Sequence, residues 1–168
     1  MILQVLKYPH KILKTKADNV AKITDAERKL VRDMIETMYA ENGVGLAANQ
    51  IGVPKQIFVA SADQVRGQEI VCFNPEIVRS EGTIKEFEGC LSVREFYEPV
   101  KRAKRVWIRA TTLEGKEVEM KGEGLLARIF QHEIDHLNGF LFIDRIGFLK
   151  GRRIKKKLVS KKVAASKA

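Results

Sequence analysis

The strongest constraint on the fold is an amphipathic segment at about residues 123–137, which carries two histidines four positions apart. On a helix with about 100° per residue, Glu133 falls on one broad arc with the apolar side chains, and His132 and His136 lie at the edge of that arc. Such a helix must pack on a core. A carboxylate among apolar side chains needs a partner or a chemical purpose, because desolvation of a lone charge is costly. The opposite face carries Arg128, Gln131, Asp135 and Asn138.

The spacing of the two histidines favours a metal site. Side chains at i and i+4 of a helix stand about 5–6 Å apart, so two imidazoles can converge on one ion. Glu133 points about 100° away from His132, which places it beside the open position of that ion, where it can take a proton from bound water. A pair of hydrogen-bonded core imidazoles is the alternative interpretation, since HExxH also arises by chance.

A catalytic site of this kind lacks one ligand, because such sites use three protein ligands and keep a fourth position open. Phe142 stands where the metzincin pattern needs a histidine. A thermolysin-like site would take a glutamate from further downstream, but the only acid after His136 is Asp144, which is eight residues on and expected beyond the end of the helix. The third ligand is therefore expected upstream, where the candidates are His10, Cys72 and Cys90. A turn histidine is usually a surface residue and a cysteine in an apolar run is usually inert, which leaves the cysteine of EGCLS. A structural free cysteine would explain that pentapeptide equally well.

The rest of the chain indicates one domain of mixed structure. A chain of 168 residues with 45% apolar composition can bury a core. A capping box at Thr24 and Glu27 predicts a helix over about 25–41, ending at Asn42 and Gly43. A small-residue loop, GVGLAANQIGVP, follows. Strands are predicted at QIFVA, EIVCF, EIVRS, RVWIRATT and EVEMK.

No apolar run approaches the roughly 18 residues of a membrane span, and no secretory signal is visible at the start of the chain. We therefore expect a cytoplasmic protein with reduced cysteines and no membrane association.

The net charge of +10 lies entirely at the end of the chain. Residues 1–144 carry 21 Lys and Arg against 21 Asp and Glu, whereas residues 145–168 carry 10 Lys and Arg and no acid. This basic segment is either a solvated helix or a surface that docks on nucleic-acid phosphate. Ile154 and Leu158, four positions apart, suggest that its first turns pack on the rest of the protein. We expect two units, with 1–147 as the catalytic domain and 148–168 as a basic C-terminal helix and tail.

Three stretches resemble the motifs of the peptide deformylases, in the same order and at similar separations: GVGLAANQ at 43–50, EGCLS at 88–92 and QHEIDHLNG at 131–139. The resemblance extends from the first residue to about residue 155. It implies an α+β fold, with antiparallel sheets packed around a central HExxH helix and a C-terminal helix. It also implies one divalent metal ion on Cys90, His132 and His136. Ferrous iron (Fe2+) is the ion that the family suggests, and zinc, nickel or cobalt would suit the same ligands.

The resemblance further implies removal of the N-formyl group from the N-terminal formylmethionine of newly synthesised polypeptides, by metal-bound water with Glu133 as general base. By the family pattern, the Gln50 amide and the Leu91 backbone N–H stabilise the oxyanion, and Gly45 allows close approach to the substrate. Docking on the ribosome through the basic tail and a monomeric state are also expected. The residues assigned to the substrate pocket are Gly43, Val44, Glu88, Gly89, Leu125 and Ile129.

Three residues depart from the family's pattern. Arg94 stands where proline is usual, Tyr97 where many relatives carry arginine, and Arg128 where an apolar residue is common. We hypothesise that Arg94 or Arg128 helps to hold the peptide backbone of the substrate.

Two other classes of function remain open at this point. A metallopeptidase would share HExxH, but it has no special need for GVGLAANQ or EGCLS. A non-catalytic nucleic-acid-binding module would explain the basic tail but not a carboxylate on the apolar face of a helix. Hydrolysis of a formylmethionyl peptide in preference to an internal amide distinguishes the first, and RNA binding that survives Glu133→Ala distinguishes the second.

Overall fold

The structure is a computed structural model that describes residues 1–165, with side chains described as far as residue 161. The last three residues of the expected tail lie outside the described part. Among the described residues, every helix falls short of the length and apolar character that crossing a membrane requires. The elements are α1 Asp25–Ala40, β1 Gly45–Ala47, β2 Ile57–Ala60, β3 Ile70–Glu81, β4 Ile84–Cys90, β5 Val93–Arg102, β6 Arg105–Thr111, β7 Glu117–Glu123, α2 Leu125–Leu137 and α3 Phe148–Ala165, with short 3-10 helices at Lys11–Lys14, Ala48–Ile51 and Phe142–Asp144.

The strands form two separate antiparallel sheets, so the expected α+β class is confirmed. The larger sheet has five strands in the order β1-β2-β3-β6-β7, and the smaller one is the β4–β5 hairpin. Helix α2 packs on the larger sheet through a buried apolar cluster. Within that cluster, the rings of Phe58 on β2 and Phe130 on α2 lie 5.9 Å apart. The helix with the two histidines is thus fixed in the middle of the molecule.

Helix α1 begins and ends where its sequence signals predicted. The capping box of Thr24 and Glu27 is present, and hydrogen bonds from Lys55 and then Thr24 lower the pKa of Glu27 to about 2. At the other end, Asn42 has a left-handed φ of 54°, and the Gly43 N–H donates to the Met38 carbonyl at 2.8 Å. This is a Schellman motif. It turns the chain directly into β1 and the site.

The β4–β5 hairpin is the main feature that sequence patterns did not predict. Its residue pairs run from Ile84 opposite Arg102 to Cys90 opposite Val93. EGCLS therefore spans the end of a strand and the turn that follows it. Two smaller differences concern the larger sheet. The runs EIVCF and EIVRS form one strand, β3, with an irregular register after Phe73, and the loop GVGLAANQ contains the short strand β1.

The hairpin covers the polar face of α2. Arg128 and Asp135 lie on that face, yet both are buried. The side chain of Arg102 on β5 reaches across to donate to Glu88 and to Asp135. The polar face of the helical wheel is therefore an ionic interface rather than a solvated surface.

The C-terminal helix α3 packs on the 3-10 helix Phe142–Asp144 and shares an apolar cluster with the hairpin. Ile154 is buried and Leu158 is partly buried in a cluster that includes Val93 of β5 and Phe142. This contact is the one that the spacing of the two apolar residues indicated.

Candidate functional site

Three possible metal-ligating atoms converge at one point between α2 and the hairpin. The Sγ atom of Cys90 lies 3.2 Å from Nε2 of His136, which lies 3.2 Å from Nε2 of His132. Each pair of the three atoms is within 4.8 Å. The two other upstream candidates lie elsewhere, since His10 is exposed and caps a short helix while Cys72 is buried in the larger sheet. Burial raises the pKa of the Cys72 thiol to about 12.

The geometry of these atoms fits a divalent transition-metal ion. Two nitrogen ligands at about 2.05 Å on a tetrahedral ion would be about 3.3 Å apart. The two histidine nitrogens have nearly that separation. One sulfur and two imidazole nitrogens are a donor set that zinc and ferrous iron both accept. The three residues present can therefore hold such an ion.

A buried carboxylate sets the orientation of His132. Nδ1 of His132 lies 3.0 Å from Oε2 of Glu88, so a proton on Nδ1 donates to the carboxylate. Nε2 of the same ring then faces Cys90 and His136. Burial raises the pKa of Glu88, but hydrogen bonds from His132 and Arg102 outweigh it, so that this pKa lies well below its ordinary value. Arg128 also donates to this carboxylate, at 2.6 Å. Glu88 therefore lines the cavity, but both of its carboxylate oxygens are already hydrogen-bonded to neighbouring side chains.

Glu133 faces the same space from the next position of α2. Its side chain is almost fully buried, and Oε2 has no hydrogen-bond partner among the described residues. Burial raises the pKa of Glu133 to about 7, a shift that the charges of His132 and Arg102 oppose and that of Glu88 increases. A Cβ atom on Gly45 would lie only 2.4 Å from Oε1. Glycine at position 45 is thus what gives the carboxylate its room.

Gln50 presents its amide N–H group to the site. Its Oε1 accepts a hydrogen bond from the Ala47 N–H at 2.9 Å, which fixes the amide plane. Nε2 then lies 3.2 Å from Ser92 Oγ and 3.7 Å from Cys90 Sγ. Leu91 follows Cys90 in the turn of the hairpin, so its backbone lies beside the same sulfur.

One cavity of about 850 Å³ brings the expected site residues together. His136 lies behind it, fully buried. The mouth carries an ion pair between Arg94 and Glu41, together with the exposed rings of Phe87 and Tyr97. The expected residues that line the cavity are Gly43, Val44, Gly45, Gln50, Glu88, Gly89, Cys90, Leu91, Leu125, Ile129, His132 and Glu133.

Sequence reasoning did not find the ionic support beneath the site. Arg102 is held by Glu88 and Asp135, and Arg145 donates to Asp135 at 2.6 Å. The only local signal of these contacts was the position of Arg128 and Asp135, four residues before and three residues after His132 on the same helix. Nothing in the sequence near Arg102 points to this contact.

Comparison with known proteins gives the same fold and then the family. Crystal structures of peptide deformylases from Legionella pneumophila and Thermus thermophilus superimpose with TM-scores of 0.92 and 0.89. They are 41% and 38% identical to this chain, and the alignments cover 100% and 98% of it and 99% and 97% of theirs. A peptide deformylase from Thermodesulfovibrio yellowstonii is 47% identical over 96% of this chain and 99% of its own length.

The sequence model of the polypeptide deformylase family matches residues 2–152. The chain belongs to this family and is an enzyme.

Proposed function

We propose that this enzyme removes the N-formyl group from the N-terminal formylmethionine of newly synthesised polypeptides, using one divalent metal ion held by Cys90, His132 and His136. The observation that carries the proposal is the meeting of these three side chains beside an unpartnered buried carboxylate in one cavity. The names of the relatives support the same reaction. Ferrous iron is the proposed ion, and zinc, nickel or cobalt would suit the same donors.

When bound, a divalent ion supplies a water of lowered pKa and polarises the formyl oxygen. Glu133 then accepts the proton from the attacking water and returns it to the leaving amine. Its Oε2 atom is free to do so, and burial, which raises the pKa of Glu133, suits a group that must both take and give a proton.

The negative charge that develops on the formyl oxygen needs donors that are already in position. The Gln50 amide and the Leu91 backbone N–H are proposed for this role. The hydrogen bond from the Ala47 N–H to Gln50 Oε1 supports this role for Gln50, because it already directs the amide N–H group to the cavity. The donor therefore does not have to reorient during the reaction. Gly43 and Gly45 permit the chain before Gln50 to lie close to the substrate backbone.

An unbranched thioether side chain needs an apolar recess next to the ion. Val44, Leu125 and Ile129 line the cavity and are proposed to form that recess, and Gly89 lines the same cavity. Arg128 lines the cavity, and although its Nη1 atom donates to Glu88 and to the Val100 carbonyl, its Nε and Nη2 atoms have no hydrogen-bond partner among the described residues. Arg128 is therefore proposed as one candidate for holding the substrate backbone. Arg94, which lies at the mouth and pairs with Glu41, is the second candidate for that role.

The test is formate release from a formylmethionyl tripeptide by enzyme prepared anaerobically, with metal analysis of the same sample. Glu133→Ala should abolish turnover while metal remains bound, whereas Cys90→Ser should lose both. Lys16→Met, an exposed substitution in the loop before α1, is the matched control and should change neither. Hydrolysis of an internal amide at a comparable rate would instead indicate a metallopeptidase.

We also propose that 1–147 is the catalytic domain and that the basic segment 148–168 docks on the ribosome. Helix α3 presents Arg152, Arg153, Lys156 and Lys157 to solvent, whereas Ile154 packs inward. Replacing the four exposed cations by serine therefore tests docking better than a truncation, which would also remove the buried contact. We expect weaker cosedimentation with ribosomes and unchanged turnover of the tripeptide. Unchanged cosedimentation would contradict the docking role.

A further inference from the structure

We propose that Lys7 is a positioning residue for the reaction. It belongs to a short N-terminal clamp, defined as residues 6–8, that ties together the two chain segments carrying the oxyanion donors. This inference rests on the proposed function, because it takes Gln50 and Leu91 as those donors. The inference gives a supporting role to residues 6–8, which include no proposed metal ligand, general base or oxyanion donor.

The clamp makes three hydrogen bonds that reach both segments. The Leu6 N–H donates to the Gln50 carbonyl at 2.7 Å, and the Tyr8 N–H donates to the Ser92 carbonyl at 2.9 Å. Between them, Nζ of Lys7 donates to the Leu91 carbonyl at 2.6 Å. Three consecutive residues thus contact the 3-10 helix Ala48–Ile51 on one side and the hairpin turn on the other.

Such a connection is needed because the two donors come from distant parts of the chain. Gln50 and Leu91 are 41 positions apart, and Leu91 lies in the turn of the β4–β5 hairpin, which is a different sheet from the one containing the strand that leads into Gln50. Direct side-chain contact between the two segments includes the Gln50–Ser92 hydrogen bond at 3.2 Å. Local chain geometry cannot set the separation of the two donors to the few tenths of an ångström that oxyanion stabilisation requires.

The clamp is itself rigidly placed. Val5 is buried beside α1, and Tyr8 is buried against Val93 and Val100 of β5. Lys7 lies between these two anchors, so its ammonium group is delivered to the turn from a fixed backbone. Its bond to the Leu91 carbonyl and the bond from Tyr8 to the Ser92 carbonyl fix the two peptide planes that follow the Leu91 N–H.

Of these three contacts, only the one from Lys7 uses a side chain. A substitution at Lys7 can therefore remove that contact without altering the backbone. Loss of a whole oxyanion donor lowers kcat by about 10²–10³. Lys7→Met leaves both donors present and two clamp bonds intact. We therefore expect a smaller loss of about five- to twentyfold in kcat, with KM changed by less than about twofold.

The experiment compares Lys7→Met with Lys7→Arg, and uses Lys16→Met as an exposed control. The arginine variant keeps a charged donor and should recover most of kcat. All three variants should retain their metal content and melt within about 2 °C of the parent, because surface substitutions change stability little. A kcat for Lys7→Met within twofold of the parent, or an equal loss in Lys7→Arg, would overturn the proposal.

A second measurement is independent of turnover. The backbone order parameter of Leu91, from NMR relaxation, should be that of a rigid amide, about 0.85, in the parent and should fall towards about 0.6 in Lys7→Met. An unchanged order parameter would show that Lys7 does not hold the turn. If the parent enzyme released no formate, the proposed function would fail, whereas this NMR result would still decide whether the clamp exists.

Discussion

Replacing Glu88 by alanine should destabilise the protein and weaken metal binding in the same variant. The Glu88 side chain is only 4% exposed and accepts hydrogen bonds from Arg102 at 2.8 and 3.0 Å and from Arg128 at 2.6 Å. Its removal leaves two buried guanidinium groups short of a partner. Breaking a buried ion pair from one side costs about 3–5 kcal/mol, so we expect a loss of that size in the free energy of unfolding.

The same substitution removes the group that orients His132. A missing hydrogen-bond partner of a metal-ligating histidine typically lowers metal affinity by about 10- to 100-fold. Glu86→Ala is the matched control, because Glu86 lies on the same strand and pairs with Arg128 at 3.3 Å, but its side chain is 52% exposed. Because the Glu86 carboxylate is half-exposed, solvent screens its pair with the buried Arg128, which contributes about 0–1 kcal/mol, and Nδ1 of His132 is bonded to Glu88 rather than to Glu86.

Urea denaturation of the metal-free forms measures the first effect, because a bound ion would add its own stabilisation. Trp107 is the only tryptophan and reports unfolding of the larger sheet. Competition with a chelator measures the second effect. If Glu88→Ala cost no more stability than Glu86→Ala, or if both variants bound metal as the parent does, the ionic contacts of Glu88 would not support the site.

Three further predictions concern single side chains. Gly45→Ala should lower kcat about 100-fold with little change in melting temperature, because the new methyl group would displace the Glu133 carboxylate. Glu27 has a folded-state pKa of about 2, below its ordinary value of 4.5, so its stabilisation is present above about pH 4.5 and is lost as the pH falls towards 2. Glu27→Gln should therefore unfold with about 1–2 kcal/mol less stability at pH 7 and with a flatter acid dependence. In the metal-free native protein, a thiol reagent should modify one cysteine, Cys90, until unfolding exposes Cys72.

The parts of the fold that sequence patterns predicted have local causes. The capping box and the 3.6-residue period define α1 and α2, and four-residue spacing alone brings His132 and His136 together. The β4–β5 hairpin was missed because its pattern is inverted. Phe87 points to solvent, whereas the inward positions include the charged Glu88 and Arg102. Alternation of apolar and polar residues cannot reveal a strand whose buried contacts are ionic. The position of Cys90 depends on that hairpin, and so no local pattern could place it.

The ionic contacts of the hairpin also explain how Cys90 can serve the site at all. A two-stranded sheet is at best marginally stable alone, so the hairpin needs the surface of α2 to hold its shape. The Glu88 and Arg102 side chains make that contact, and Glu88 at the same time bonds His132. Docking of the hairpin and orientation of one ligand are therefore a single interaction, located two residues before the sulfur. It follows that metal binding and hairpin docking must stabilise each other, because each fixes the same few atoms.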